Sequence, residues 1–96
     1  MALRITGIRK DNGNHNNPHE AVTDYRWEND ADGSTGISSR MDMVNWLESN
    51  QNNEAYVRDM RGKVYCYVNT NRYGTKFLQT YADNRWTDNL LSLPEC

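Results

Sequence analysis

The sequence has few of the features that mark secreted, membrane-spanning or metal-binding proteins. It contains only two cysteines, Cys66 and Cys96, and lacks the paired cysteines of a zinc finger. This small number favours a reducing compartment, with a Cys66–Cys96 disulfide as the alternative. No stretch approaches the roughly 20 apolar residues that span a membrane, and the first residues lack the apolar region of a signal peptide. We therefore expect a soluble, cytoplasmic protein with no membrane contact.

Sequence motifs of common enzyme classes are also absent. The chain has no GxSxG nucleophile elbow, no GxxxxGKS/T phosphate loop and no GxGxxG dinucleotide fingerprint. Asp30 and Asp32 are close together, but Gly33 and Ser34 indicate a hydrated loop in which both carboxylates stay ionised. An acid–base pair needs two groups with separated pKa values, which such a loop does not provide. We expect no enzymatic activity and no cofactor.

The histidines and cysteines do not form a convincing site either. His15 and His19 are four residues apart, a spacing that suits one metal ion on a helix, but Pro18 and the neighbouring asparagines disfavour a helix. We interpret this segment as a solvated loop and expect no bound metal. Cys66 lies in a strand-like run and should point into the core as an inert, small apolar residue. Cys96 is expected to be a surface thiol, with acidic neighbours that disfavour reactivity.

The residues that are present suffice for one small globular domain spanning 1–96. Hydrophobic residues make up 36% of the chain, and three Trp and six Tyr add large rings to a small core. The net charge is only −2, yet residues 11–54 carry −7 and residues 56–76 carry +4. This acidic balance is not typical of a protein that binds duplex DNA, although a local basic strip is present.

Hydrophobic periodicity predicts five strands and one helix in the order β-β-α-β-β-β. Residues 3–9 alternate between apolar and polar, the period of a half-buried strand. Ser39 is a typical helix N-cap, and the apolar stripe behind it predicts a helix over about 40–50 with Trp46 in the core. The other predicted elements are strands at 21–27, 55–60, 63–70 and 75–81, a loop at 30–36 and a last helical turn from Thr87 to Leu91. The fold class is α+β, a small antiparallel sheet with one helix packed on one face.

The hairpin at 55–69 is the most informative feature for function. A two-residue turn at Arg61-Gly62 predicts pairing of Met60 with Lys63, Arg58 with Tyr65 and Tyr56 with Tyr67. One face then carries aromatic and basic side chains, and with a cation from the following turn the candidate binding residues are Tyr56, Arg58, Lys63, Tyr65, Tyr67 and Arg72. This composition suits a protein interface or a surface for single-stranded nucleic acid. Ordinary cross-strand stabilisation of a sheet is the third interpretation.

The last third of the chain resembles a known family. The residues that carry the resemblance are Lys76-Phe-Leu-Gln-Thr80, the turn at Asp83 and the tail Asp88-Asn-Leu-Leu-Ser-Leu-Pro-Glu-Cys96. They are similar to the ends of short bacterial and phage proteins known as a domain of unknown function. In that family a Tyr-Leu-Arg-Thr strand precedes the tail, so Phe77 and Gln79 stand here for Tyr and Arg. The resemblance implies a compact bacterial protein of one domain and no particular activity.

These features together favour a non-enzymatic binding protein. The leading hypothesis is a small protein-interaction module with an unidentified protein partner. The alternative is a weak binder of single-stranded nucleic acid that uses the tyrosine and basic residues of the hairpin. The exposure of Tyr56, Tyr65 and Tyr67 separates both hypotheses from ordinary sheet chemistry, because rings buried under other elements cannot bind a partner.

Overall fold

A computed structural model describes residues 1–11, 18–60 and 62–95. It contains seven strands, one α-helix and two short 3-10 helices, at Pro18–Ala21 and Asn89–Ser92. The strands are β1 (Ala2–Lys10), β2 (Val22–Asn29), β3 (Thr35–Ser39), β4 (Glu54–Asp59), β5 (Gly62–Thr70), β6 (Lys76–Ala82) and β7 (Arg85–Thr87), and the helix α1 is Arg40–Ser49. The predicted α+β class is therefore confirmed, while β3 and β7 are strands that the sequence analysis missed.

All seven strands form one sheet in the order β3-β2-β1-β4-β5-β6-β7. Neighbouring strands are antiparallel except for β1 and β4, which pair in parallel at Ala2–Glu54, Leu3–Ala55 and Arg4–Tyr56. The parallel pair arises because α1 carries the chain from the β3 edge back across the sheet, so that β4 enters beside β1 in the same direction. The predicted antiparallel sheet is thus mostly antiparallel, with β1 and β4 as its parallel pair.

Strand β3 escaped prediction because its stability comes from a neighbour rather than from its own sequence. Its residues, Thr-Gly-Ile-Ser-Ser, contain little of the apolar alternation that marks a strand. In the fold the indole of Trp27 lies over Gly36, so closely that a Cβ built at Gly36 would be 2.5 Å from Cζ2 of Trp27. Trp27 Nε1 also donates a hydrogen bond to Ser38 Oγ over 3.0 Å. Glycine is thus required at position 36 for the two strands to pair around this ring.

The helix begins where the sequence predicts. Ser39 Oγ accepts a hydrogen bond from the Asp42 backbone N–H at 3.2 Å, which satisfies one of the donors that the first helical turn leaves open. Met43 and Val44 are the buried residues of α1, whereas Trp46 and Leu47 are partly buried and pack against the edge of the core. Trp46, which was predicted in the core, packs against the core cluster but is only partly buried.

The sheet curves strongly around the core. The Tyr25 hydroxyl of β2 accepts a hydrogen bond of 3.2 Å from the Leu78 backbone N–H of β6. Three strands separate β2 from β6, which in a flat sheet would place them about 19 Å apart. Only a curled sheet brings them within reach of one side chain, and α1 contacts β2, β3, β5 and β6 on its concave side. The enclosed core consists of Leu3, Ile5, Ile8, Val22, Tyr25, Met43, Val44, Ala55, Val57, Cys66, Leu78 and Leu90.

The last residues of the chain pack onto this core as the sequence suggested. Leu90 is fully buried, and Leu91 and Leu93 lie against the core cluster. The Ile8 backbone N–H donates to the Pro94 carbonyl at 3.0 Å, which ties the tail to β1. The predicted last helical turn is present as the 3-10 helix Asn89–Ser92, but Thr87 does not cap it, because Thr87 belongs to β7 and Asp88 is the N-cap residue. No helix in the part of the chain that the structure describes is long and apolar enough to cross a membrane.

Candidate interaction surface

The β4–β5 hairpin has a register that differs from the predicted one by two residues. Tyr56 pairs with Tyr65, Arg58 with Lys63 and Asp59 with Gly62, so that Asp59 is the last paired residue of β4. Because side chains alternate between the faces with a period of two, this shift leaves the paired residues on their predicted faces. Tyr56, Arg58, Lys63, Tyr65 and Tyr67 therefore lie together on the convex face. Met60, which the predicted register placed on that face, is in the turn and fully exposed.

Aromatic residues cross this face over four strands. Tyr56 pairs with Tyr65 and Tyr81 pairs with Trp86, and Tyr65 lies opposite Tyr81 because their neighbours Cys66 and Thr80 are paired. Ring centroids are 6.2 Å apart for Tyr56–Tyr65, 6.3 Å for Tyr67–Tyr81 and 5.1 Å for Tyr81–Trp86. We call these five residues, Tyr56, Tyr65, Tyr67, Tyr81 and Trp86, the aromatic strip.

Exposure differs between the two ends of the strip, being low at Tyr56 on β4 and high at Tyr67, Tyr81 and Trp86. Tyr56 is only 3% exposed, whereas Tyr67, Tyr81 and Trp86 are 52%, 38% and 41% exposed. Two edge-to-face contacts, with interplanar angles of 89° and 80°, hold the three exposed rings together around Tyr81. The end of the strip at β5–β7 is thus an accessible aromatic cluster, while the end at β4 is closed.

A local polar network closes the β4 end. The Tyr56 hydroxyl donates to the Asp30 carboxylate, with distances of 2.7 and 2.8 Å to its two oxygens. Lys63 Nζ lies 4.6 Å from the centre of the Tyr56 ring and 3.9 Å from Asp30 Oδ2. Burial, and secondarily the hydrogen bond to Asp30, raise the pKa of Tyr56 above its usual value. The charge of Lys63 is therefore offset by Asp30.

Of the six candidate residues, Arg72 is the one that the fold does not bring to the others. It lies in the β5–β6 turn, where its guanidinium is 4.9 Å from the centre of the Tyr73 ring. Conversely, Tyr81 and Trp86 belong to the surface but were not among the candidates. The sequence did not predict them as part of this surface because β7 has only three residues. Its pairing with β6 depends on the turn, in which Asp83 and Asn84 adopt positive φ angles of 54° and 64°.

The remaining groups considered for chemistry are scattered. Cys66 is buried, and burial raises its pKa to about 12, so the thiol stays protonated and unreactive as expected. His19 was wrongly placed in a solvated loop: it is 2% exposed and stacks on Phe77 with a centroid distance of 6.0 Å. Across residues 1–11, 18–60 and 62–95, no three His, Cys, Asp or Glu side chains are grouped so that they could hold a metal ion. His15 and Cys96, for which the sequence predicted a solvated loop and a surface thiol, lie outside the residues that the structure describes.

The comparisons with known proteins give one result for family membership. The family described as "protein of unknown function (DUF3892)" matches residues 4–94. The chain belongs to this family. No curated protein and no solved structure matches the chain.

The tail that carries the resemblance to the family of unknown function has a structural role in this member. Asn89 Nδ2 donates to Asp59 Oδ2 at 3.0 Å, which fastens the tail to the end of β4. Leu90 fills the core and the Pro94 carbonyl bonds to β1. These contacts join the family's most recognisable residues to the fold rather than to the exposed end of the aromatic strip.

Proposed function

We propose that this domain is a non-enzymatic module that binds another protein through the exposed end of the aromatic strip. The observation that carries the proposal is the cluster of Tyr67, Tyr81 and Trp86, three large rings in mutual contact and each more than a third exposed. Tyr and Trp are enriched at protein interfaces, where a few buried rings contribute most of the binding free energy. A contiguous group of exposed rings is also unusual on the surface of a protein that binds nothing there.

Two features favour a protein partner over single-stranded nucleic acid. Bases stack on ring faces that are open and roughly parallel, whereas the faces of the exposed cluster are partly occupied by edge-to-face contacts. Phosphates need unopposed cations, but Lys63 is held by Asp30 and Arg72 lies in a separate turn. The buried, protonated thiol of Cys66 supports the non-enzymatic part of the proposal and suits a reducing compartment such as the cytoplasm.

Site-specific photo-crosslinking in a bacterial host tests this proposal. We would replace Tyr67 or Tyr81 by p-benzoylphenylalanine and use Tyr73 as the matched control, since it is 73% exposed but lies in the β5–β6 turn. We expect a discrete protein adduct from positions 67 and 81 that is absent from position 73 and is lost when Trp86→Ser is added. Equal adducts from all three positions, or none from the strip, would refute the proposal.

Titration of a labelled single-stranded oligonucleotide at two salt concentrations tests the alternative. We expect no measurable binding even at low salt. Binding that weakens with a slope of log affinity against log salt near about −2, and that Tyr65→Ala or Lys63→Ala abolishes, would instead support the nucleic-acid function.

A further inference from the structure

A cleft of about 520 Å³ lies beside the exposed end of the aromatic strip, between β5 and the segment that links α1 to β4. We call it the Tyr67 cleft; the lining residues that matter here are Leu47, Gln51, Glu54, Tyr65, Tyr67 and Val68. It exists because β4 begins at Glu54 while β5 continues to Thr70, so β5 extends past the end of its neighbour. The linking segment turns away toward the helix, where Asn53 Nδ2 donates to the Trp46 carbonyl at 2.9 Å.

The backbone of β5 is open along this cleft. The Glu54 N–H donates to the Met1 carbonyl, so the backbone N–H and C=O groups of Glu54 point toward β1. Those of the next residue, Ala55, point toward β5, where Ala55 pairs with Cys66. Val68 lies two residues beyond Cys66 on β5, so its backbone groups point to the same side as those of Cys66, at a place where β4 has ended. On its other side Val68 pairs with Leu78 of β6, whose backbone N–H donates to the Tyr25 hydroxyl. An extended segment of another chain can therefore pair with β5 at this point.

The charge of the cleft selects the side chain that such a segment would carry. Glu54 is the charged residue of the lining, and its carboxylate makes no hydrogen bond or ion pair within the described ranges. The neighbouring carboxylate of Glu48 is paired with Lys76 Nζ at 3.0 Å, so Glu54 supplies the charge of the cleft. Tyr65 and Tyr67 line the same cleft, and the faces of tyrosine rings attract cations.

We propose that the Tyr67 cleft binds an arginine or lysine side chain on an extended segment of the protein partner. The cation would lie against the tyrosine rings and pair with Glu54, while the segment's backbone bonds to Val68 and its neighbours contact the exposed end of the strip. This inference rests on the proposed function, because it identifies the chemistry of the partner that the strip binds. The same carboxylate repels phosphate, which is a further reason against nucleic acid at this surface.

Blocked synthetic peptides with the sequence acetyl-Gly-Ser-X-Ser-Gly-amide, where X is Arg, Lys or Gln, provide the test. Each would be titrated into the isotope-labelled protein and followed by backbone amide NMR signals. We expect saturable shifts at Glu54, Tyr67 and Val68 with the Arg and Lys peptides. The Gln peptide should have an affinity at least about fivefold lower. Glu54→Gln should weaken the Arg peptide by about fivefold, whereas the control Glu28→Gln, exposed on β2 and outside the cleft, should leave its affinity unchanged.

Three results would overturn this inference: no saturable shift with the Arg and Lys peptides, equal affinity for the Gln peptide, or indifference to Glu54→Gln. The photo-crosslinks at positions 67 and 81 report separately on the proposed function. If the crosslinks persist in Glu54→Gln and the peptides fail to bind, the proposed protein interface is supported and the proposed binding of a cationic side chain in the cleft is refuted. Loss of the crosslinks from the otherwise unmodified protein would remove the proposed function itself.

Discussion

At the residue scale, buried polar groups determine how the curled sheet is held. Tyr25 is fully buried and joins β2 to β6 through the hydrogen bond from the Leu78 N–H. Burial raises the pKa of Tyr25 well above its usual value, so the hydroxyl stays neutral and available for this bond. Because the bond connects strands that are not neighbours in the sheet, it is a tertiary contact rather than part of a ladder.

Replacing Tyr25 by Phe is expected to lower the free energy of unfolding by about 1–3 kcal/mol, because the Leu78 N–H would be left buried without an acceptor. Urea unfolding followed by tryptophan fluorescence measures this change. Tyr81→Phe is the control: the ring is 38% exposed, and we expect a change within about 0.5 kcal/mol. A Tyr25→Phe variant as stable as the wild type would show that the hydroxyl does not support the curvature.

His19 predicts a pH dependence of stability. Its burial lowers its pKa, and the nearby Asp88, with Oδ1 3.9 Å from Nε2, opposes that shift only in part. The unfolded chain, whose histidine titrates near its usual pKa of about 6.5, then binds more protons than the folded chain as the pH falls. Stability from His19 is therefore fully present above the unfolded pKa and is lost as the pH falls through the folded value.

We expect the melting temperature to fall between about pH 7 and pH 5, where most carboxylates are still ionised. In His19→Gln this part of the pH dependence should disappear, although the variant is less stable at pH 7. If His19→Gln retained the full slope, the titration would have to be assigned to another group.

At the scale of elements, α1 shows how burial differs between the two faces of a helix. Met43 is 2% exposed, while Met41, two residues earlier and on the opposite face, is 48% exposed. We expect Met43→Ala to cost about 2–5 kcal/mol, because it opens a cavity in the core. Met41→Ala is a matched control, the same substitution in the same helix, and should change stability by no more than about 0.5 kcal/mol. Thermal and urea unfolding of the two variants test the orientation of the helix.

The partial burial of Trp46 determines the expected effect of Trp46→Ala. A fully buried Trp would cost roughly 3–5 kcal/mol on truncation. Trp46 is partly buried at the flank of the core, and its carbonyl holds Asn53 through a backbone contact that the substitution keeps. We therefore expect a smaller loss than for a central core residue, and a loss as large as that of Met43→Ala would place Trp46 deeper than the structure does.

At the scale of the whole molecule, folding is expected to be independent of metal. The described histidine, cysteine and acidic side chains do not cluster in threes, and a folding-coupled zinc site would contribute about 10 kcal/mol or more. Addition of EDTA should leave the melting temperature unchanged. A large decrease would mean that a metal site exists and that the interpretation of the histidine segment as incidental is wrong.

The local pattern of the chain accounts for much of the fold. The alternation in β1, the Ser39 cap of α1 and the leucines of the tail were all predictable, because each is a short-range consequence of side-chain period or hydrogen-bonding chemistry. Period-two alternation also assigned Tyr56, Tyr65 and Tyr67 to one face of the hairpin despite a wrong register, since a shift of two residues preserves the face. The family resemblance at the end of the chain was likewise readable from consecutive residues.

By itself, the sequence determined the α+β class, the helix and the faces of the central hairpin, while only the tertiary structure decided which of those faces is accessible. Tyr56 and Tyr67 are alike in local sequence and share a face, yet one is buried by Asp30 and Lys63 and the other is half exposed. In the same way, β3 is a strand because Trp27 packs on Gly36, and Trp86 joins the strip because a turn with positive φ angles returns it to β6. Burial depends on which distant segments cover a residue, and that information is not contained in any local stretch of the chain.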